Sequence, residues 1–196
     1  MWGQRYKIYS STKILIAPQS YRVPKKQVLF TVTDEDMQRM TEAVRKHLVP
    51  REIEEINRTL AKEKRRVIGE SKSRLDVIEA FDLDGNGKKD LVGIYYLSVV
   101  HNNPQGYWPH DILFVLWDTG KVEKIACEDR SPAFVLGGVI DIDQDGLQEL
   151  IVTSRVTSKH KDGGEGRQID ILHHSPDGWK SIFRSRWICD IGLFYD

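Results

Sequence analysis

Two short stretches carry oxygen donors at one shared spacing. Phe81, Asp82, Leu83, Asp84, Gly85, Asn86, Gly87, Lys88, Lys89, Asp90, Leu91 and Val92 match Ile140, Asp141, Ile142, Asp143, Gln144, Asp145, Gly146, Leu147, Gln148, Glu149, Leu150 and Ile151. Counted from the first acid, side-chain oxygens fall at positions 1, 3, 5 and 9 of each loop. A hard cation such as Ca²⁺ takes roughly six to eight oxygens at about 2.3 to 2.6 Å, and alternate residues of a tight loop can turn inward to supply them. The candidate ligands are Asp82, Asp84, Asn86 and Asp90 in the first loop and Asp141, Asp143, Asp145 and Glu149 in the second. Lys88 and Leu147, at position 7, would each add a backbone carbonyl. Gly87 and Gly146 stand at position 6, where the chain must bend sharply around an ion and a Cβ would clash.

Electrostatics favours a cation independently of the pattern. Two carboxylates about 4 Å apart repel by roughly 4 kcal/mol at an effective dielectric of about 20. The competing reading is a pair of polar turns with splayed, solvated acids, since Asp, Asn and Gly are common in turns. Two loops in register, each entered and left by apolar β-prone residues, weigh against it. An EF-hand needs flanking helices and a bidentate Glu at loop position 12, where Gly93 and Val152 stand. Without that Glu, affinities of roughly 10⁻⁴ to 10⁻³ M are expected. The first loop, with Asn86 in place of an acid, should be the weaker.

The loops with their flanking strands resemble the FG-GAP and VCBS type repeats, β-propeller blades with calcium loops found in integrin α-chains and many bacterial surface proteins. The resemblance covers roughly residues 75–186. It implies the same ligands: Asp82, Asp84, Asn86, the Lys88 carbonyl and Asp90, then Asp141, Asp143, Asp145, the Leu147 carbonyl and Glu149. It also implies two Ca²⁺ ions and an extracellular or periplasmic setting. The name-giving dipeptides are degraded: Leu136 and Gly137 stand where Phe-Gly would, Ile94 and Tyr95 follow Gly93, and Glu149 replaces the usual final Asp.

The elements that must hold these loops are β-strands. After residue 74 the apolar period becomes that of strands, at 75–82, 90–100, 110–118, 121–128, 133–141, 149–157, 167–174 and 179–186. Asp118, Thr119 and Gly120, and Ser175, Pro176, Asp177 and Gly178, are hairpin signals. Asp82 and Asp141 are 59 positions apart, and Gly120 and Gly178 are 58 apart, so the region reads as an internal repeat of two four-stranded meanders. Two blades cannot close a propeller, which typically needs about four to eight. The sheets must pack face to face, be covered by the N-terminal segment, or associate with other copies of the chain. An incomplete propeller or two-sheet β unit with helices packed against it is expected, an α+β fold that is mainly β.

Three segments follow: an N-terminal arm or short strands over 1–33, two helices over 34–69 and the repeat domain over 70–196. Thr33 with Asp36 suits an N-cap, and Met37, Met40, Val44 and Leu48 recur at helical spacing up to Pro50. Pro50 suits the first turn of a second helix, with Ile53, Ile56, Leu60 and Val67 as its stripe and Gly69 as its end. Its acids Glu52, Glu54 and Glu55 come first and its bases Lys62, Lys64, Arg65 and Arg66 last, an order that helix dipoles favour. That accounts for the basic run without a nucleic-acid ligand.

In 196 residues, 29 Lys and Arg cancel 29 Asp and Glu, so no net field draws the chain onto nucleic acid or anionic lipid. Hydrophobic residues at 40% and charged residues at 30% exclude a mainly disordered chain. No apolar run approaches the roughly 20 residues that span a bilayer, and no secretion signal is visible. Cys127 and Cys189 lack close zinc-type spacing; one disulfide or two free thiols both fit.

In a meander the acidic loops lie at one end and the long second connections at the other. These are 101–110, with Tyr107, Trp108 and His110, and 158–167, with His160, and they are expected to meet a protein or glycan partner. The alternative is that their aromatics cover a core edge. No HExxH, GxSxG, P-loop or dinucleotide pattern is present, so a non-catalytic interaction module is expected. Two rivals remain: an assembly module pairing through sheet edges, with copies of the chain or another protein, and a hydrolase-like enzyme whose metal sits on His101, His110 and His160. His173 and His174, adjacent in a strand, should point to opposite faces.

Overall fold

A computed structural model describes residues 30–102, 106–128, 133–157, 165–185 and 188–189. Expectations placed on the N-terminal arm up to residue 29, on His160 and on the side chain of Cys189 lie outside the described residues.

Helix α1 (Asp34–His47) begins as its sequence dictates. The Thr33 hydroxyl accepts from the Asp36 backbone N–H, and the Asp36 carboxylate accepts from the Thr33 N–H at 2.8 Å, completing a capping box. Helix α2 (Val49–Ala61) carries Pro50 in its first turn. It ends eight residues before the expected Gly69. Lys64 takes the left-handed conformation, φ 58°, and Arg65 N–H returns to the Leu60 carbonyl at 3.0 Å. Asn57 Oδ1 accepts from the Val67 N–H at 2.8 Å, so Val67 opens a strand instead of continuing the helical stripe. Of the basic residues, only Arg58 lies in the last turn of α2, so the dipole reading of the downstream run falls away.

The first sheet is a meander of β1 (Val67–Phe81), β2 (Asp90–His101), β3 (Tyr107–Leu116) and β4 (Val122–Glu128). The second is a meander of β5 (Phe134–Ile140), β6 (Glu149–Thr157), β7 (Glu165–Ser175) and β8 (Gly178–Arg184), with β9 (Ile188–Cys189) pairing β7. All pairings are antiparallel. The fold is thus mainly β, two four-stranded meanders with two helices and no closed barrel among the described residues.

Alternation on β2 and β3 sets the layers. Leu91, Tyr95, Leu97, Val99, Ile112, Phe114 and Leu116 face the helices, where Met40, Val44, Ile56 and Leu60 complete one core. Val92, Ile94, Leu113, Val115 and Trp117 face the second sheet, where Phe134, Leu150 and Val152 complete another. Strands buried on both faces read as near-continuous apolar runs, as 112–117 does. Of the three ways to hide two open blades, the chain uses face-to-face packing, with the helices covering the first sheet's other face.

Candidate functional site

The two acidic loops join β1 to β2 and β5 to β6, and they meet. Gln148 N–H donates to the Leu83 carbonyl at 2.8 Å, and a Cβ on Gly85 would lie 2.6 Å from the Gly146 carbonyl oxygen. Sheet pairing places both loops at the same end of the stacked sheets, opposite the β2–β3 connection.

Their internal bonding is the same at each position. Asp82 Oδ2 accepts from Gly87 N–H at 3.0 Å, and Asp141 Oδ2 from Gly146 N–H at 3.2 Å. Asp84 accepts from Asn86 N–H and Asp143 from Asp145 N–H, both at 3.2 Å. Asn86 accepts from Lys88 N–H and Asp145 from Leu147 N–H, both at 2.8 Å. The last acid closes each loop: Asp90 accepts from Leu83 N–H at 3.0 Å and Glu149 from Ile142 N–H at 2.7 Å. Gly87 and Gly146 have φ of 82° and 94°, the left-handed bend their position requires.

Asp82, Asp84 and Asp90 bring one carboxylate oxygen each to within 4.8 Å of one another, and Asp141, Asp143 and Asp145 do the same. Asp82 Oδ1 and Asp141 Oδ1 are buried and accept no hydrogen bond among the described residues. Such atoms are uncommon in folded proteins and call for a water or an ion. One oxygen of each first acid is thus open to a water or a cation, as Asp118 Oδ1 in the adjoining turn also is.

The loops are not identical. Asn86 Nδ2 donates to Asp84 Oδ2 at 2.8 Å, an internal partner that Asp145 cannot offer. Asp118, in the β3–β4 turn, joins the first loop: its backbone N–H donates to Asp90 Oδ1 at 2.9 Å, and its carboxylate pairs with Lys88 Nζ at 3.0 Å. Burial raises the Asp90 pKa; the backbone donors of Asp118 and Leu83 oppose this, and the Asp84 and Asp118 charges add to it. Lys88 holds Asp118 below the usual carboxylate value. In the second loop His173 Nδ1 lies 2.9 Å from Glu149 Oε1, and Glu149 holds the imidazole pKa above its ordinary value. His174 lies on the opposite face, 3.2 Å from Glu123 and against Trp117 and Trp179, as adjacency in a strand requires.

The repeat extends further than the loops. Asp118 and Asp177, like Asp111 and Asp170, are each 59 positions apart. Asp111 accepts from Ala133 N–H at 2.7 Å, where the chain enters the second sheet, and Asp170 accepts from Arg184 at 2.6 Å and Ser181 at 2.9 Å. That offset could have revealed Asp118; nothing in the spacing signals His173.

The opposite end corrects the expected contact residues. The strands run further than expected, so His110 is a β3 residue, 5% exposed, with Nε2 3.1 Å from Glu52 Oε2. It is not an exposed loop side chain. Trp108 is partly buried against the helix-facing core, with its ring edge-on to the buried His101. Tyr107 is 68% exposed. No donor grouping among the described residues unites His101 with His110. Cys127 is a free thiol. Burial works to raise the pKa of Glu52, but hydrogen bonds from His110 and Lys124 outweigh it and hold the carboxyl below its ordinary value. No helix among the described residues is long and apolar enough to cross a membrane.

Comparison with known proteins returns no matching family model, no matching curated protein and no matching solved structure.

Proposed function

We propose that the chain is a calcium-stabilised, non-catalytic interaction module. Two ions, one in each acidic loop, hold the two sheets together at one end, and the opposite end, around Tyr107, meets a protein or glycan. The single observation that supports this reading is the pair of buried, unpartnered oxygens Asp82 Oδ1 and Asp141 Oδ1, at equivalent positions of two loops that share the same backbone-to-side-chain bonds. The closeness of Gly85 to Gly146 gives the ions a structural task, because neutralising both loops removes repulsion where the sheets abut.

The likeness to FG-GAP and VCBS repeats belongs to this reading, as two blades stacked in place of a ring. Sites without a bidentate closing Glu fill where calcium is millimolar, as outside cells or in a periplasm. Ligand binding restricted to the folded state adds about 2.7 kcal/mol per site at a free concentration about 100 times Kd. For a chain of this size that is a rise in Tm of roughly 5 to 10 °C per site. Thermal melts in EDTA and in millimolar calcium test it: a calcium-dependent rise is expected, and a melt unchanged across that range contradicts occupied sites.

A further inference from the structure

One cluster outside the acidic loops joins three kinds of donor. Glu52 on α2, His110 on β3 and Cys127 on β4 bring a carboxylate oxygen, an imidazole nitrogen and a thiol sulfur to within 4.8 Å of one another. The sheet register explains the meeting. Cys127 pairs with Ile112, and His110 lies two residues before Ile112 on the same strand, so the two side chains are diagonal neighbours on the helix-facing side. Helix α2 lays Glu52 over them, 1% exposed.

Three features give this cluster the character of a binding site. His110 Nε2 and Glu52 Oε2 are 3.1 Å apart, a separation that suits neighbouring ligands of one ion. Lys124 Nζ bonds the other oxygen, Oε1, at 2.5 Å and fixes the rotation of the carboxylate from outside, as outer-shell partners of metal ligands do. A cleft of about 210 Å³, lined in part by Thr59, Trp108, His110 and Cys127, opens beside the donors.

We propose that Glu52, His110 and Cys127 bind a transition-metal dication of zinc's size and softness, with its remaining position open to the cleft. Calcium and magnesium take oxygen ligands and would not choose a thiolate or an imidazole. Zinc accepts sulfur, nitrogen and carboxylate oxygen together, and a set of three protein ligands leaves the fourth tetrahedral position to water or a small ligand. As the ion enters, it replaces the hydrogen bond between His110 and Glu52, a neutral imidazole keeping its one N–H on the nitrogen that faces away from the ion, and the thiol proton of Cys127 passes to solvent, so binding releases a proton. The ion would tie the helix layer to the first sheet, at the end away from the acidic loops, and would carry a water into the cleft.

The test is titration of the full chain with Co²⁺ in a buffer of millimolar calcium, read by the thiolate-to-cobalt charge-transfer band in the near ultraviolet. The band should saturate at a single equivalent, disappear on adding Zn²⁺, survive Cys189→Ala and vanish in Cys127→Ala. His110→Gln and Glu52→Gln should weaken binding by more than the roughly 10- to 100-fold that outer-shell changes cost. Cys127 is only partly buried, so Cys127→Ala should keep the metal-free melt of the parent, and this comparison stands even if a buried variant fails to fold. No band in the parent protein, or a band that persists in Cys127→Ala, overturns the proposal.

Discussion

At the scale of single residues, the first acid of each loop should govern binding. Asp82 and Asp141 each direct one oxygen to the position 6 backbone N–H and leave the other buried without a partner. Replacing either acid by Asn keeps the shape, retains an acceptor for the backbone and removes the charge. Each single substitution should lower the calcium stoichiometry from two to one and reduce the calcium-dependent rise in Tm, Asp141→Asn by more than Asp82→Asn. The melt in EDTA should stay level or rise, because one repulsive charge has gone. Calorimetric titration of Asp82→Asn and Asp141→Asn checks this; two intact sites in both variants would contradict the assignment. The parent's weaker site should be the one lost in Asp82→Asn, since Asn86 partly satisfies Asp84 in that loop.

At the scale of elements, Asp36 links the helix layer to the first loop. Its carboxylate closes the α1 capping box and pairs with Lys89 Nζ at 2.5 Å, next to the proposed ligand Asp90. Burial pushes its pKa up, but Lys89 and Thr33 outweigh that and hold it below the usual value. A depressed carboxylate contributes stability above its unfolded pKa of about 3.9 and loses it as pH falls through the lower folded value. Asp36→Asn should therefore cost about 2 kcal/mol at pH 7, and the difference from the parent should shrink below about pH 4. Paired denaturation curves at the two pH values measure it.

The elements were legible where the pattern was strong and local. The Thr33 cap, the two hairpin signals and the eight strands of the two meanders follow from cap chemistry, turn residues and period-2 alternation. The first half of β1 did not, because Glu70, Ser71, Lys72, Ser73 and Arg74 carry no apolar alternation; its pairing with the end of β2 decides it. The overlong second helix has the same origin. Val67 falls at helical spacing, yet a bond from its N–H to Asn57 turns the chain back. Loop ligands are contiguous in sequence and could be read together. Asp118, His173 and the union of Glu52, His110 and Cys127 depend on register and stacking, which spacing along one chain does not encode.

At the scale of the whole molecule, three layers share two cores: helices on the first sheet, and the first sheet on the second. Trp117 stacks on Trp179 across the sheet junction with ring centroids 6.3 Å apart, and the acidic loops meet at the same end. Apolar packing thus joins the sheets through their faces, while the loops concentrate negative charge at one rim. On the proposed reading a cation in each loop neutralises that charge. Anomalous scattering from crystals grown in millimolar calcium tests it most directly. One ion is expected in each loop, at about 2.3 to 2.6 Å from its ligand oxygens, with Asp82 Oδ1 and Asp141 Oδ1 among them. Water alone in both loops, with those carboxylates turned to solvent, would contradict it.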